Sequence, residues 1–211
     1  MTLRTFPLFL VSILGLSGAA PAPTELLLRG YSVVPEPQRV ALKPGSVRVD
    51  ANWRVDATAH AATRSLLADF EQFHGVVLKT APGAAAPVIA LRVLPGAVPG
   101  APAETSAQAY RLSIEPGRIE ITGNGDAGLL YGVQTLGQLA KPGASGVLLL
   151  PEGRIEDWPR LALRFLHWDT KHHQDRIPTL KRYIDWAARF KANMIGFELE
   201  DKFAYPSNPI I

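Results

Sequence analysis

Between Leu161 and Leu199 the sequence runs through an order of segments that few folds accept. The apolar run LALRFLHW ends in Asp169, and after a short loop comes PTLKRYIDWAARF. The run NMIGFELED then ends in the acidic cluster Glu198, Glu200 and Asp201. The first and last segments have the length and apolar character of buried strands. The middle one, Pro178 to Phe190, places Leu180, Tyr183, Ile184, Ala187 and Phe190 in one stripe at helical spacing. Strand, helix, strand, with carboxylates at the ends of both strands, makes about one and a half β/α units of a barrel that needs eight, in about 250 residues. The chain ends at Ile211. The expected architecture is therefore an α+β N-terminal domain followed by an incomplete (β/α)8 TIM barrel, the front part of a larger protein.

Composition limits the remaining classes. At 211 residues there is room for one ordinary domain and part of another. An apolar content of 47% supports a core and excludes a disordered chain. The net charge of +3 comes from 22 basic and 19 acidic residues, the basic ones scattered. That leaves no electrostatic footprint for nucleic acid and no basic helix for a membrane surface. Without cysteine there is no disulfide, thiolate or cysteine metal site. The N-terminus reads as a signal peptide over residues 1–22: Arg4, an apolar stretch from Phe6 to Leu16, then the small residues Ser17 to Ala20. Cleavage is expected between Ala19 and Ala22, giving a secreted or periplasmic protein with no membrane span in the mature chain. An uncleaved anchor is the alternative.

Residues 23–157 read as the α+β domain. Residues 21–35 form a linker, and Arg39 to Asp50 alternates as a strand. His60 to His74 is a helix with Ala62, Leu66, Phe70 and Phe73 on one face and Gly75 placed to cap it. Val88 to Val93 is a buried strand, and the Pro, Gly and Ala-rich residues 95–108 are a loop. Tyr110 to Ile114 and Arg118 to Thr122 form a hairpin turned at Pro116-Gly117. Asp126 is the expected N-cap of a helix carrying Gly128, Gly132 and Gly137. Three helical glycines cost roughly 1 kcal/mol each relative to Ala, so close packing on a sheet is expected. A loop and strand over Gly143 to Leu150 complete four or five strands with two helices on one face. The barrel is expected to begin at residue 158.

Several residues invite a chemical reading. Arg164 sits in an apolar run, where a guanidinium is costly unless paired with a carboxylate or a ligand. Glu198 and Glu200 share a parity with Met194 and Gly196, while Ile195, Phe197 and Leu199 face the helices. Carboxylates at a barrel mouth favour a polar pocket; a solvated acidic loop is the alternative. Asp169 suits a supporting role in such a site or a plain cap. His167, His172 and His173 lack the i, i+4 spacing of a helical zinc site, so no metal is expected. Trp53 and Trp158 read as packing residues. There is no G-x-S-x-G elbow and no phosphate-binding glycine loop with Lys, and nothing calls for a cofactor.

The segment AYRLSIEPGRIEITGNGDAGLLYGVQTLGQL resembles the end of the N-terminal α+β domain of family 20 glycoside hydrolases, the β-N-acetylhexosaminidases. IEDWPR is similar to the family's lead-in to the barrel, LRFLHWD to its first barrel strand and KANMIGFELEDKFAY to its second. The acidic form of the second strand looks closest to the hexosaminidase D branch. Phe165 stands where the family has Gly, and Trp168 where an aliphatic residue is commoner. The helix motif also occurs in family 84 and family 67 glycosidases.

The resemblance implies an exo-acting hydrolase of terminal N-acetyl-hexosamine residues working by substrate-assisted retention, an exception to the two-carboxylate scheme. The sugar's acetamido oxygen attacks the anomeric carbon, an Asp orients it, and a neighbouring Glu is acid then base. That pair ends the family's fourth barrel strand, so no catalytic residue is assigned within this chain, and the 211 residues alone are expected to be inactive. Contacts to sugar hydroxyls are implied for Arg164, Asp201 and Glu200, with Glu198, Asp169 and His167 beside them. The partner implied is an N-acetyl-hexosamine-containing glycan. The alternatives are a secreted non-catalytic carbohydrate-binding module, or another glycosidase family that shares the N-terminal domain.

Overall fold

The computed structural model describes residues 24–57, 60–170, 175–199 and 206–207. The signal peptide read in the sequence lies outside them. A short helix α1 (Glu25–Leu28) leads into β1 (Arg39–Val49), β2 (Arg54–Asp56), α2 (Ala61–His74), β3 (Lys79–Thr80) and β4 (Val88–Val93). Then come β5 (Tyr110–Glu115), β6 (Arg118–Gly123), α3 (Asp126–Leu139), β7 (Lys141–Pro142) and β8 (Leu148–Asp157). The last elements are β9 (Phe165–Asp169), α4 (Ile177–Arg189) and β10 (Met194–Glu198).

Strands β1 to β8 make one mixed sheet in the order β1-β8-β5-β6-β4-β2-β3, with β7 beside β8. Strands β2, β3, β4 and β6 run parallel, and β5 and β6 form the expected hairpin. The four or five strands expected from the sequence are the longer members of an eight-stranded sheet. Strands β2, β3 and β7 span only two or three residues, too few to show a period of two. Strand β8 runs on to Asp157, beyond the strand read as ending at Leu150. The loop read over residues 95–108 contains a 3-10 turn, Ala103–Gln108.

Helix α2 forms where its stripe predicts. His60 caps it, its Nδ1 accepting from the Ala62 N–H at 3.0 Å, and Gly75 closes it at φ +67°. Ala62, Leu66 and Phe70 are fully buried, whereas Phe73 is 37% exposed and meets Trp186 of α4 edge-on. Helix α3 is buried almost all round, against the sheet and against α2. A Cβ on Gly128 would collide with the Ala109 carbonyl oxygen, and one on Gly132 with the Ile121 side chain. At Gly137 nothing comes closer than 3.9 Å, so close packing accounts for two of the three glycines. The N-cap is Gly125 rather than Asp126. Asp126 is the first helical residue, where a carboxylate favours the positive helix end, and it lies 3.1 Å from His60 Nε2. The core joins Tyr110, Leu112, Ile119 and Ile121 of the hairpin to Leu129, Leu136 and Leu139 of α3 and Leu66 and Phe70 of α2. Each fully buried large apolar side chain contributes about 1.5–3 kcal/mol.

Strands β9 and β10 pair in parallel, Phe165 opposite Met194 and Asp169 opposite Glu198, with α4 as the crossover. Of the stripe read on α4, Ala187 is buried but Tyr183, Ile184 and Phe190 are 50%, 44% and 41% exposed. Trp168 accounts for part of the contact, its ring 4.4 Å from Tyr183 and 5.8 Å from Phe197.

Candidate functional site

Because side chains alternate along a strand, the β9–β10 register sorts two faces. Leu166, Trp168, Ile195 and Phe197 share the α4 side, as read from the sequence. Phe165, His167 and Asp169 share the other face with Met194, Gly196 and Glu198. At the carboxyl ends of the strands, Asp169 and Glu198 therefore stand side by side. His167 Nε2 lies 2.9 Å from a Glu198 carboxylate oxygen, and both side chains are partly exposed. The Thr170 N–H and hydroxyl donate to the Glu198 carbonyl at 3.2 and 2.9 Å, tying the two strand ends together. The Trp168 indole N–H donates to Asp175 at 3.3 Å, fixing the start of the α4 segment beside them. This end offers carboxylate acceptors and an imidazole on one face, a set that suits hydroxyl donors. Glu200, Asp201, His172 and His173 lie outside the described residues. Among the described residues no three His, Cys, Asp or Glu come together as a metal site.

Arg164 is placed differently from its sequence reading. Strand β9 begins at Phe165, so Arg164 precedes the strand, at the end opposite the carboxylates. Its Nε donates to the Lys191 carbonyl at 2.6 Å, Nη1 to the Leu161 carbonyl at 2.7 Å and Nη2 to Gln108 Oε1 at 2.8 Å. Its guanidinium lies 5.0 Å from the Tyr131 ring centroid. Asn193 completes the clamp: its Oδ1 accepts from the Arg164 N–H at 2.8 Å, and its own N–H donates to the Arg164 carbonyl at 3.1 Å. Among the described residues, carbonyls and an amide rather than an acid receive the guanidinium's hydrogen bonds. In this arrangement the side chain ties the amino ends of β9 and β10 to α3 and the 3-10 turn before β5.

The sequence reading missed the buried polar cluster beside this clamp. Lys191, in the turn between α4 and β10, is 4% exposed at φ +62°. Its Nζ lies 3.0 Å from Asp157 Oδ2, at the end of β8, and 3.0 Å from the Tyr110 hydroxyl. Tyr110 in turn donates to Asp157 at 3.0 Å, with the Thr135 hydroxyl of α3 2.5 Å away. Burial holds the Lys191 amine below its ordinary range, against the pull of Asp157. Burial and then the Asp157 charge push the Tyr110 hydroxyl well above its own. The four side chains come from β5, β8, α3 and the α4–β10 turn, so separations of up to 81 residues conceal them in the sequence.

The family model for glycosyl hydrolase family 20, domain 2, matches residues 30–158, stopping where β8 gives way to the β9 segment. A beta-N-acetylhexosaminidase of Cellulomonas fimi is 35% identical over 106 residues, covering 48% of this chain and 21% of that protein. The solved family 20 β-N-acetylhexosaminidase of Streptomyces coelicolor A3(2) superposes with a TM-score of 0.65 at 29% identity, over 80% of this chain and 35% of that one. The family 20 exo-β-N-acetylglucosaminidase of Vibrio harveyi, solved with N-acetylglucosamine, gives 0.69 at 23% identity over 80% of this chain and 25% of that one, a likeness of fold. The chain thus spans about a fifth of the Cellulomonas protein and about a third of the Streptomyces one. With more than half its length matched by that model, the chain belongs to glycosyl hydrolase family 20.

Proposed function

We propose that this chain supplies the domain 2 unit and the first β/α elements of the catalytic barrel of a secreted β-N-acetylhexosaminidase. The observation that carries the reading is the pair Asp169 and Glu198, side by side at the carboxyl ends of two parallel strands next to a family 20 domain. Barrel enzymes build their sites at that end. In this reading Asp169, Glu198 and His167, with Glu200 and Asp201 beyond them, accept hydroxyls of a terminal N-acetyl-hexosamine. The acid/base Glu and the Asp that orients the acetamido group come from a later strand, and the sugar's own acetamido oxygen is the nucleophile. Removal of residues 1–22 on export belongs to the same reading; N-terminal sequencing of secreted protein beginning at Met1 would overturn that part.

The test is hydrolysis of 4-nitrophenyl N-acetyl-β-D-glucosaminide by the 211-residue chain and by a longer product whose frame continues through an adjacent Asp-Glu pair. Turnover is expected from the longer protein alone. Glu198→Gln there should raise KM more than it lowers kcat, because a hydroxyl contact binds ground and transition states alike. Turnover by the 211-residue chain would overturn the placing of the acid/base pair. An inert longer protein would overturn the assignment.

A further inference from the structure

A cavity of about 380 Å³ lies where the large sheet meets the start of β9, lined in part by Gln38, Gln108, Tyr131, Trp158, Arg160 and Lys191. The volume falls within the roughly 300–1,000 Å³ of small-molecule sites, which favour junctions between packed units. The cavity opens at the amino ends of β9 and β10, since Arg164 and Lys191, both in its wall, precede those strands. The Asp169–Glu198 pair stands at their other ends, about 16 Å away along a five-residue strand.

The wall holds more hydrogen-bonding capacity than the protein uses. A protonated Lys191 has three donors, and the Tyr110 hydroxyl and Asp157 take two of them. The third has no acceptor among the described residues, although the side chain is 4% exposed. An unpaired buried donor costs about 1–3 kcal/mol, so an acceptor from outside the protein would be favoured there. The Arg160 guanidinium and the Gln38 carboxamide also lack partners among the described residues, and Glu36 adds a free acceptor at the rim. Arg39 lies over the Trp158 ring at 4.8 Å and steadies it as an apolar wall. Cations and carboxylates are both present in the lining, which disfavours a strongly charged ligand. An indole beside mixed donors and acceptors suits a ring with an apolar C–H face and a rim of hydroxyls.

We propose that this interdomain cavity is a carbohydrate-binding site for a neutral pyranose, separate from the carboxylate ends of β9 and β10. The probe is N-acetyl-D-glucosamine, which has no glycosidic bond to cleave, so the outcome does not depend on hydrolysis. Titrated into the 15N-labelled chain, it should shift the Trp158 indole and the Gln38 and Gln108 side-chain amide signals, with an affinity in the millimolar range. Arg160→Ala, at an exposed and unpaired side chain, should weaken binding roughly fivefold, the scale of one lost hydrogen bond. Trp158→Ala should weaken it further, and Arg64→Ala, on the exposed face of α2 and outside the cavity wall, should leave it unchanged. No shifts in the folded chain at about 20 mM sugar, an affinity too weak for a specific site, would overturn the proposal. So would shifts confined to residues 165–169 and 194–198, or binding that Glu198→Gln abolishes and Arg160→Ala spares.

Discussion

The two sheets of this chain differ in how far each buries itself. In the large sheet, Tyr110, Leu112, Ile119 and Ile121 are at most 1% exposed, covered by α3 and α2. In the β9–β10 pair, Phe165, Leu166, Met194 and Phe197 are 41–51% exposed, and their helix buries only Ala187. Both are built from apolar strands and an apolar-striped helix, so composition does not separate them. The number of neighbouring strands does. Parallel strands normally have both faces covered, and two strands with one helix cannot do that. The small pair keeps its shape instead through polar attachments at its amino ends: the Arg164 clamp and the buried Lys191–Asp157–Tyr110 cluster.

The sharpest way to break this contrast is to delete one ring from each region. Phe70→Ala, in the buried face of α2, should cost about 3–5 kcal/mol. Phe197→Ala, at a ring 41% exposed, should cost less than about 1 kcal/mol. Urea midpoints measured side by side check both. Equal losses would mean that the small pair is as tightly packed in solution as the large sheet.

Next comes the attachment. Lys191→Met removes the ammonium and leaves Asp157, 6% exposed, with only neutral donors: the Tyr110 hydroxyl at 3.0 Å and the Gln38 N–H at 3.3 Å. Breaking a buried pair from one side costs about 3–5 kcal/mol, and the remaining hydrogen bonds should keep this case near the lower figure. If the cluster couples the regions, hydrogen exchange should speed up first in β9 and β10, with β5 and β6 still protected. Uniform loss across both sheets would show one cooperative unit.

The glycines of α3 separate effects of opposite sign within one helix. Gly132→Ala must displace Ile121 and should destabilise by about 1–3 kcal/mol despite better helix propensity. Gly137→Ala, with open space to 3.9 Å, should stabilise by up to about 1 kcal/mol. Thermal midpoints of the two variants should move in opposite directions.

Much of this was legible in the residues because it rests on local pattern. The stripe Ala62, Leu66, Phe70 identified α2, the Pro116-Gly117 turn identified the hairpin, and the alternation through Ile195 and Phe197 sorted the faces of β10. What escaped depends on long-range geometry. The apolar run around Arg164 implied a partner for its guanidinium but did not say that the carbonyls of Leu161 and Lys191 would be among its partners. Lys191 carries no local signal of its role, since Tyr110 and Asp157 come near it only once the large sheet has formed. Asp126 looked like an N-cap because a glycine can take that place with no side-chain signal at all.

The smallest effect concerns the second contact between the regions, where Arg189 of α4 reaches Gly137 at 3.4 Å and lies over Phe73 at 4.5 Å. Beside it His74, with Nε2 3.0 Å from the Gly137 carbonyl, is held below the ordinary imidazole value of 6.5 by burial and by the Arg189 charge. Asp69 is held above the ordinary 3.8 by burial, against the attraction of Arg189. The signs oppose each other. Above 3.8 the native state keeps the Asp69 proton longer than the unfolded chain does, so this residue lowers stability as pH rises through its raised value. Between its lowered value and 6.5, His74 binds its proton more weakly in the native state than in the unfolded one, so stability rises with pH across that window. Asp69→Asn should therefore stabilise the protein at neutral pH and change little in strong acid. His74→Gln should flatten the rise that ends near 6.5, because no proton is then taken up on unfolding. Urea midpoints across acid to neutral pH read both effects. An unchanged slope in His74→Gln would mean that this imidazole is solvated, and that α4 does not close over α2 as it does here.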